Sequence, residues 1–147
     1  MKQVIFYLLA ILSISHSAAS TNLQESNTET VLRFYELAFN KHRPTDAMKL
    51  YVAEKYKQHN PFAGDGKQPF IDFFTKYYSE NPAAYVEVKR TIAEGDLVVV
   101  HVHSKKDKKD RGSAVVDIFR LKNGKIAEHW DVVQSIPETA ANTNSMF

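Results

Sequence analysis

The chain has 147 residues, enough for one ordinary domain and too few for two. Hydrophobic residues make up 44% and charged residues 24%, a globular composition that can furnish a core. A formal charge of +2 argues against nucleic-acid or membrane-surface binding, and a chain without cysteine suits an oxidising destination.

The first 19 residues read as a signal peptide: Lys2 supplies positive charge, Val4 to Ile14 an apolar run, and Ser17-Ala18-Ala19 the small residues a signal peptidase recognises. The run is too short for a comfortable membrane span, so cleavage after Ala19 is expected to leave a secreted or periplasmic protein with no membrane association. An uncleaved anchor is the alternative. Residues 20–27 are polar and expected as a flexible lead-in to a single domain over 28–137.

From Thr28 the pattern is helical, with Val31, Leu32, Tyr35, Ala38 and Phe39 on one stripe. A second helix is expected from Thr45 to about Glu54, burying Ala47, Leu50 and Tyr51. Tyr56-Lys57-Gln58-His59-Asn60-Pro61 reads as an extended stretch ending at a turn. In the third helix Asp65 and Gln68 are spaced like a capping box, Pro69 suits a first turn, and Phe70, Phe73, Phe74, Tyr77 and Tyr78 recur at helical spacing before Asn81-Pro82. Such an aromatic stripe is more often core than a ligand box.

Beyond Pro82 the period changes to two. Strands are expected over Tyr85–Ile92, Leu97–His103, Ala114–Leu121 and Ile126–Ile136, with a charged hairpin tip at Lys105–Arg111 and a tight turn at Asn123-Gly124. Residues 138–147 are expected to be a disordered tail. Helices followed by an antiparallel meander make an α+β fold, three helices against one face of a curved sheet, which can enclose either a core or a ligand cavity.

Side chains alternate along a strand. His101 and His103 therefore share a face with Val99, Asp117 with Val115 and Phe119, and His129 with Asp131, while Glu128 and Trp130 face the other way. If these faces coincide, one side of the sheet carries three histidines and two aspartates. Asp117, between Val116 and Ile118, is an odd residue for a central strand unless it has a partner.

Tyr56 to Pro61, Asp65-Gly66-Lys67 and Asn123 to Gln134 together resemble the SnoaL-like branch of the nuclear transport factor 2-like superfamily. The resemblance runs from the first helix to Pro137 and implies a cone-shaped α+β barrel, sheet-to-sheet homodimers, and either catalysis or simple binding of a small hydrophobic ligand. It implies an acid/base role for Asp131, and it gives His101 and His103 the position of a polar pair that reaches the pocket in limonene epoxide hydrolase, with different residue types.

Catalysis of this kind would be proton transfer beside a carbonyl, as in aldol-type cyclisation or isomerisation by a lyase or isomerase. Asp131 is the expected base, His103 or His59 the hydrogen-bond donor, and His101, Asp117, His129 and Tyr35 the remaining pocket lining. The opposing reading makes Asp131 a structural partner of His129 or a backbone N–H, and the protein a binding module. His101-x-His103 with a carboxylate could hold zinc or copper, but spacing fixes no third ligand, so no metal or other cofactor is assigned. Trp130 and Val132 are expected on the outer, dimer-forming face.

Overall fold

The computed structural model describes residues 20–147. The expected signal peptide lies outside the described residues. Helix α1 occupies residues 20–40, its last turn, Glu36–Asn40, wound as a π-helix. It is followed by α2 (Pro44–Tyr51), β1 (Val52–Gln58), α3 (Lys67–Glu80), β2 (Tyr85–Glu94), β3 (Leu97–Lys105), β4 (Ser113–Lys122) and β5 (Lys125–Ser135).

The strands form one sheet in the order β1-β5-β4-β3-β2. Four strands make the expected antiparallel meander. The fifth is the stretch before His59, which pairs parallel to β5 with a register slip between Val52 and Lys57. A second bulge, at Lys89, interrupts β2 against β3. Such bulges add bend and twist to a sheet that wraps around its helices.

Residues 20–27 belong to α1, so the expected flexible lead-in is helical. The reason is continuity of one stripe: Asn27, Val31, Phe34, Tyr35 and Ala38 are all buried. Leu32 falls outside that stripe and is 37% exposed; Phe34 takes the place expected for it. The π turn adds a residue to the last turn of the helix, and Phe39 meets the Tyr35 ring at 4.8 Å. In α2 the buried residues are Pro44, Ala47 and Met48; of the others expected there, Tyr51 is partly buried and Leu50 half exposed. The capping box expected before α3 does not form. Gly66, at φ 84°, is the N-cap, Asp65 accepts the backbone N–H of Gln58, and Gln68 bonds Asp72.

The core fills the concave side of the sheet. Val98, Val100, Val102, Phe119, Leu121 and Ile126 meet Val31, Phe34, Tyr35, Ala38 and Met48 from the helices. Phe34, Phe39 and Phe70 close this layer with centroid separations of 5.7 to 6.0 Å. Of the aromatic stripe of α3, Tyr78 is buried and Phe70, Phe74 and Tyr77 are partly buried, while Phe73, expected in the core with them, is 61% exposed because it faces away from the sheet side of the helix. The tail carries no helix or strand, yet it is not loose at its end: Phe147 stacks on the His103 ring at 4.5 Å.

Candidate functional site

The inner face of β4 and β5 carries the polar cluster. Asp117 pairs in register with Asp131, and Phe119 with His129, so all four side chains point toward the helices. Asp117 is 7% exposed. A bare carboxylate there would be costly, and the structure supplies partners from both sides. The Tyr35 hydroxyl donates to Asp117 Oδ2, and His129 Nε2 lies 2.8 Å from Asp117 Oδ1. His129 Nδ1 lies 2.9 Å from Gln58 Oε1, and Gln58 Nε2 donates to the Tyr56 hydroxyl at 3.1 Å.

Asp131 stands apart from this chain of bonds and is half-buried. Both its oxygens accept from Asn60 Nδ2 at 2.8 Å. Asn60 Oδ1 in turn accepts the backbone N–H of Phe62 at 2.8 Å, so one side chain ties the carboxylate to the loop after β1. Burial, then the carboxylates of Asp117 and Asp131, push the Tyr35 phenol well above its ordinary range; the same causes raise Tyr56. Both phenols therefore stay protonated at neutral pH, the Tyr35 hydroxyl donating to Asp117 and the Tyr56 hydroxyl accepting from Gln58.

The expected site divides between two faces. Tyr35, Asp117, His129 and Asp131 come together on the inner face. His101 and His103 do not join them. They pair with Val116 and Ala114 on the outer face, because Val98, Val100 and Val102 take the inner positions of β3. Their rings meet Phe147, and His103 Nε2 bonds the Arg111 carbonyl at 2.7 Å. His59 is also turned outward. Its ring stacks on Trp130 at 4.4 Å and its Nε2 lies 3.2 Å from Glu128. The expected donors His59 and His103 are thus corrected: neither shares a cavity with Asp131, and the imidazole beside it is His129.

Gln58 and Asn60 complete the site and were not singled out from the sequence. The signal was available, since alternation through Tyr56-Lys57-Gln58-His59-Asn60 places Tyr56, Gln58 and Asn60 on one side and Lys57 and His59 on the other.

Among the described residues, two clefts of ligand size lie away from Asp117, His129 and Asp131. One of about 400 Å³ lies between the start of α1 and Ala93; the other, about 640 Å³, runs beside β1 near Lys57 and Asp65. Beside the cluster the rings of Phe34, Phe39, Phe70 and Phe119 pack between helices and sheet, and within it Asp117 is buried while Asp131 is half-buried. Asp117, His129 and Asp131 offer one ligand atom each within 4.8 Å of one another, the only such group among the described residues. The donor types would suit a divalent cation, but every side-chain atom buried there already has a hydrogen-bond partner.

A five-stranded curved sheet closed by three helices, with carboxylates on its inner face, defines a nuclear transport factor 2-like α+β protein. Its structure is similar to that of TsrD from Streptomyces laurentii, with a TM-score of 0.60, 18% identity, and coverage of 73% of this chain and 87% of that one. It is similar also to a candidate polyketide cyclase from Bacillus cereus, with TM-score 0.63, 19% identity and 74% of each chain covered. A candidate SnoaL-like polyketide cyclase from Jannaschia gives TM-score 0.59 and 22% identity over 75% of this chain and 86% of the other. No curated protein matches the sequence. The family model described as SnoaL-like domain matches residues 31–129, and the chain belongs to that family.

Proposed function

We propose that the protein transfers a proton at a carbon next to a carbonyl in a small hydrophobic compound, with Asp131 as the base. One observation carries this reading: within the inner-face cluster, Asp131 is the carboxylate left half-buried while Asn60 holds both its oxygens in place. An oriented carboxylate can accept and return a proton, the step shared by isomerisation and aldol-type ring closure. The names of the similar structures from Bacillus cereus and Jannaschia point to the same chemistry. The test is exchange of α-protons for deuterium in a panel of small hydrophobic ketones, comparing wild type with Asp131→Asn. Exchange that the variant retains in full would remove the proposal.

A second reading has its own observation. Among the described residues no buried side-chain polar atom lacks a partner, so the network is complete without a substrate. This favours a binding module that holds an apolar ligand without turning it over. Ketone binding with no exchange in the wild type would select it.

Two further features belong to the proposal. Export, argued from Lys2, the apolar run and Ser17-Ala18-Ala19, requires an extracytoplasmic chain that starts at Ser20 by mass spectrometry. Homodimer formation is supported by the outer face, where Val132, two residues along β5 from Trp130, is 70% exposed and Ile92, on the edge strand β2, is 63% exposed.

A further inference from the structure

Gln58 occupies a position that no account of Asp131 alone explains. Its side-chain oxygen accepts the backbone N–H of His59 and of Asn60, each at 3.0 Å. Backbone amides can only donate, so they fix which end of the Gln58 amide is oxygen. The opposite end then carries the NH₂ group, and it meets the Tyr56 hydroxyl at 3.1 Å, an acceptor for that N–H. The amide orientation is over-determined by three bonds.

His129 Nδ1 lies 2.9 Å from this same oxygen. An oxygen cannot donate, so Nδ1 must carry a proton for the contact to be a bond. The other ring nitrogen, Nε2, faces Asp117 Oδ1 at 2.8 Å. With Nδ1 already occupied, the contact between Nε2 and Asp117 holds a single proton, on the ring or on the carboxyl. The second Asp117 oxygen is taken by the Tyr35 hydroxyl, so the carboxyl cannot swing away.

The geometry points to Gln58 as a positioning residue that sets the tautomer of His129, making His129 and Asp117 a buried one-proton pair tied to the loop that holds Asp131. The tie is physical: the backbone N–H of Asn60 ends on Gln58, while the Asn60 side chain ends on Asp131. A change in Gln58 therefore reaches the ring proton of His129 and the carboxylate of Asp131 by separate bonds. This role does not depend on whether Asp131 is a base, and its test uses no substrate.

The test is the proton–nitrogen correlation spectrum of the full chain carrying histidine labelled with heavy nitrogen, with the His129 signals assigned by their loss in His129→Gln. In the wild type Nδ1 is expected to bear hydrogen. In Gln58→Met the Nδ1 hydrogen is expected to be lost, leaving Nε2 as the one N–H, directed at Asp117. In Gln58→Glu an acceptor is retained at the same place, and the Nδ1 hydrogen is expected to stay, which keeps a readout should the methionine variant fail to fold. A purely structural Gln58 would lower the unfolding temperature of the variants and leave the ring hydrogens where they are. A bare Nδ1 in the wild type, a folded Gln58→Met that keeps the Nδ1 hydrogen, or a Gln58→Glu that loses it overturns the assignment.

Discussion

Replacing Asp117 by alanine removes the one group that the Tyr35 hydroxyl and His129 Nε2 both use. The aspartate side chain is 11% exposed and the histidine 12%, so water replaces the lost partner poorly. Each stranded buried donor costs about 1–3 kcal/mol, and breaking a buried charged pair about 3–5 kcal/mol. A total near 4 kcal/mol is expected, which for a domain of this size lowers the unfolding temperature by roughly 10–20 °C. Urea unfolding followed by circular dichroism measures it. The companion variant Tyr35→Phe removes the donor to Asp117 Oδ2 and strands that same buried oxygen, so in the double variant the two losses should fall short of their sum by about 1–3 kcal/mol. A loss below about 1 kcal/mol for Asp117→Ala, or simple additivity with Tyr35→Phe, would refute the view that this network is buried and mutually satisfied.

Tyr35, Tyr56 and Tyr78 have phenols raised above the ordinary value, chiefly by burial, so the folded state holds more protons than the unfolded one above pH about 10. Stability should be untouched below that pH and fall as pH rises past it, and an absorbance titration in which all tyrosines ionise before unfolding would contradict this. Gly112→Ala should cost more than about 2 kcal/mol, since its φ is +77° and the added carbon would sit 2.1 Å from the Ser104 carbonyl oxygen; Gly95→Ala, with open space around it, should cost only the backbone strain of about 1–2 kcal/mol, and equal losses in thermal melts would be the wrong result. Val132→Arg on the outer face should shift micromolar protein toward monomer in sedimentation, and a wild type that is already monomeric would remove the dimer proposal.

Most of the architecture was legible because local signals agreed. The aromatic spacing of α3, the Asn123-Gly124 turn and the β-branched run of β3 each specify their element without help from elsewhere. Asn123 and Gly124 take φ of 52° and 70°, the pair of positive values such a hairpin turn requires. What the sequence could not settle was the phase between strands. Alternation tells which residues on one strand share a face, but a one-residue slip reverses the faces of its neighbour. The hairpin tip between Lys105 and Ser113 sets that phase for β3 and β4, and its length allows either choice.

The same limit applies to the tighter hairpin. With Lys122 opposite Lys125, an unbroken ladder would set Asp117 against Trp130, and only the extra residue Ala127 moves Asp131 into that place. Composition held one usable clue for β3. Val98, Val100 and Val102 form an uninterrupted apolar row, whereas Leu97, Val99, His101 and His103 end in polar residues, and the purer row is the one that meets the core. Gln58 and Asn60 escaped notice for a different reason. Amides become informative only when the backbone groups they bond are known, and those bonds depend on the turn after β1.

On the proposed reading, chemistry belongs to the inner face through Asp131 and not to the outer-face histidines. The most direct measurement is the rate of α-deuteration of a hydrophobic ketone by four proteins: wild type, Asp131→Asn, His59→Asn and His103→Asn. Asp131→Asn should lose about 100- to 10,000-fold with its fold intact, while His59→Asn and His103→Asn keep the wild-type rate. A full rate in Asp131→Asn, or a comparable loss in either histidine variant, would place the reacting group on the other side of the sheet.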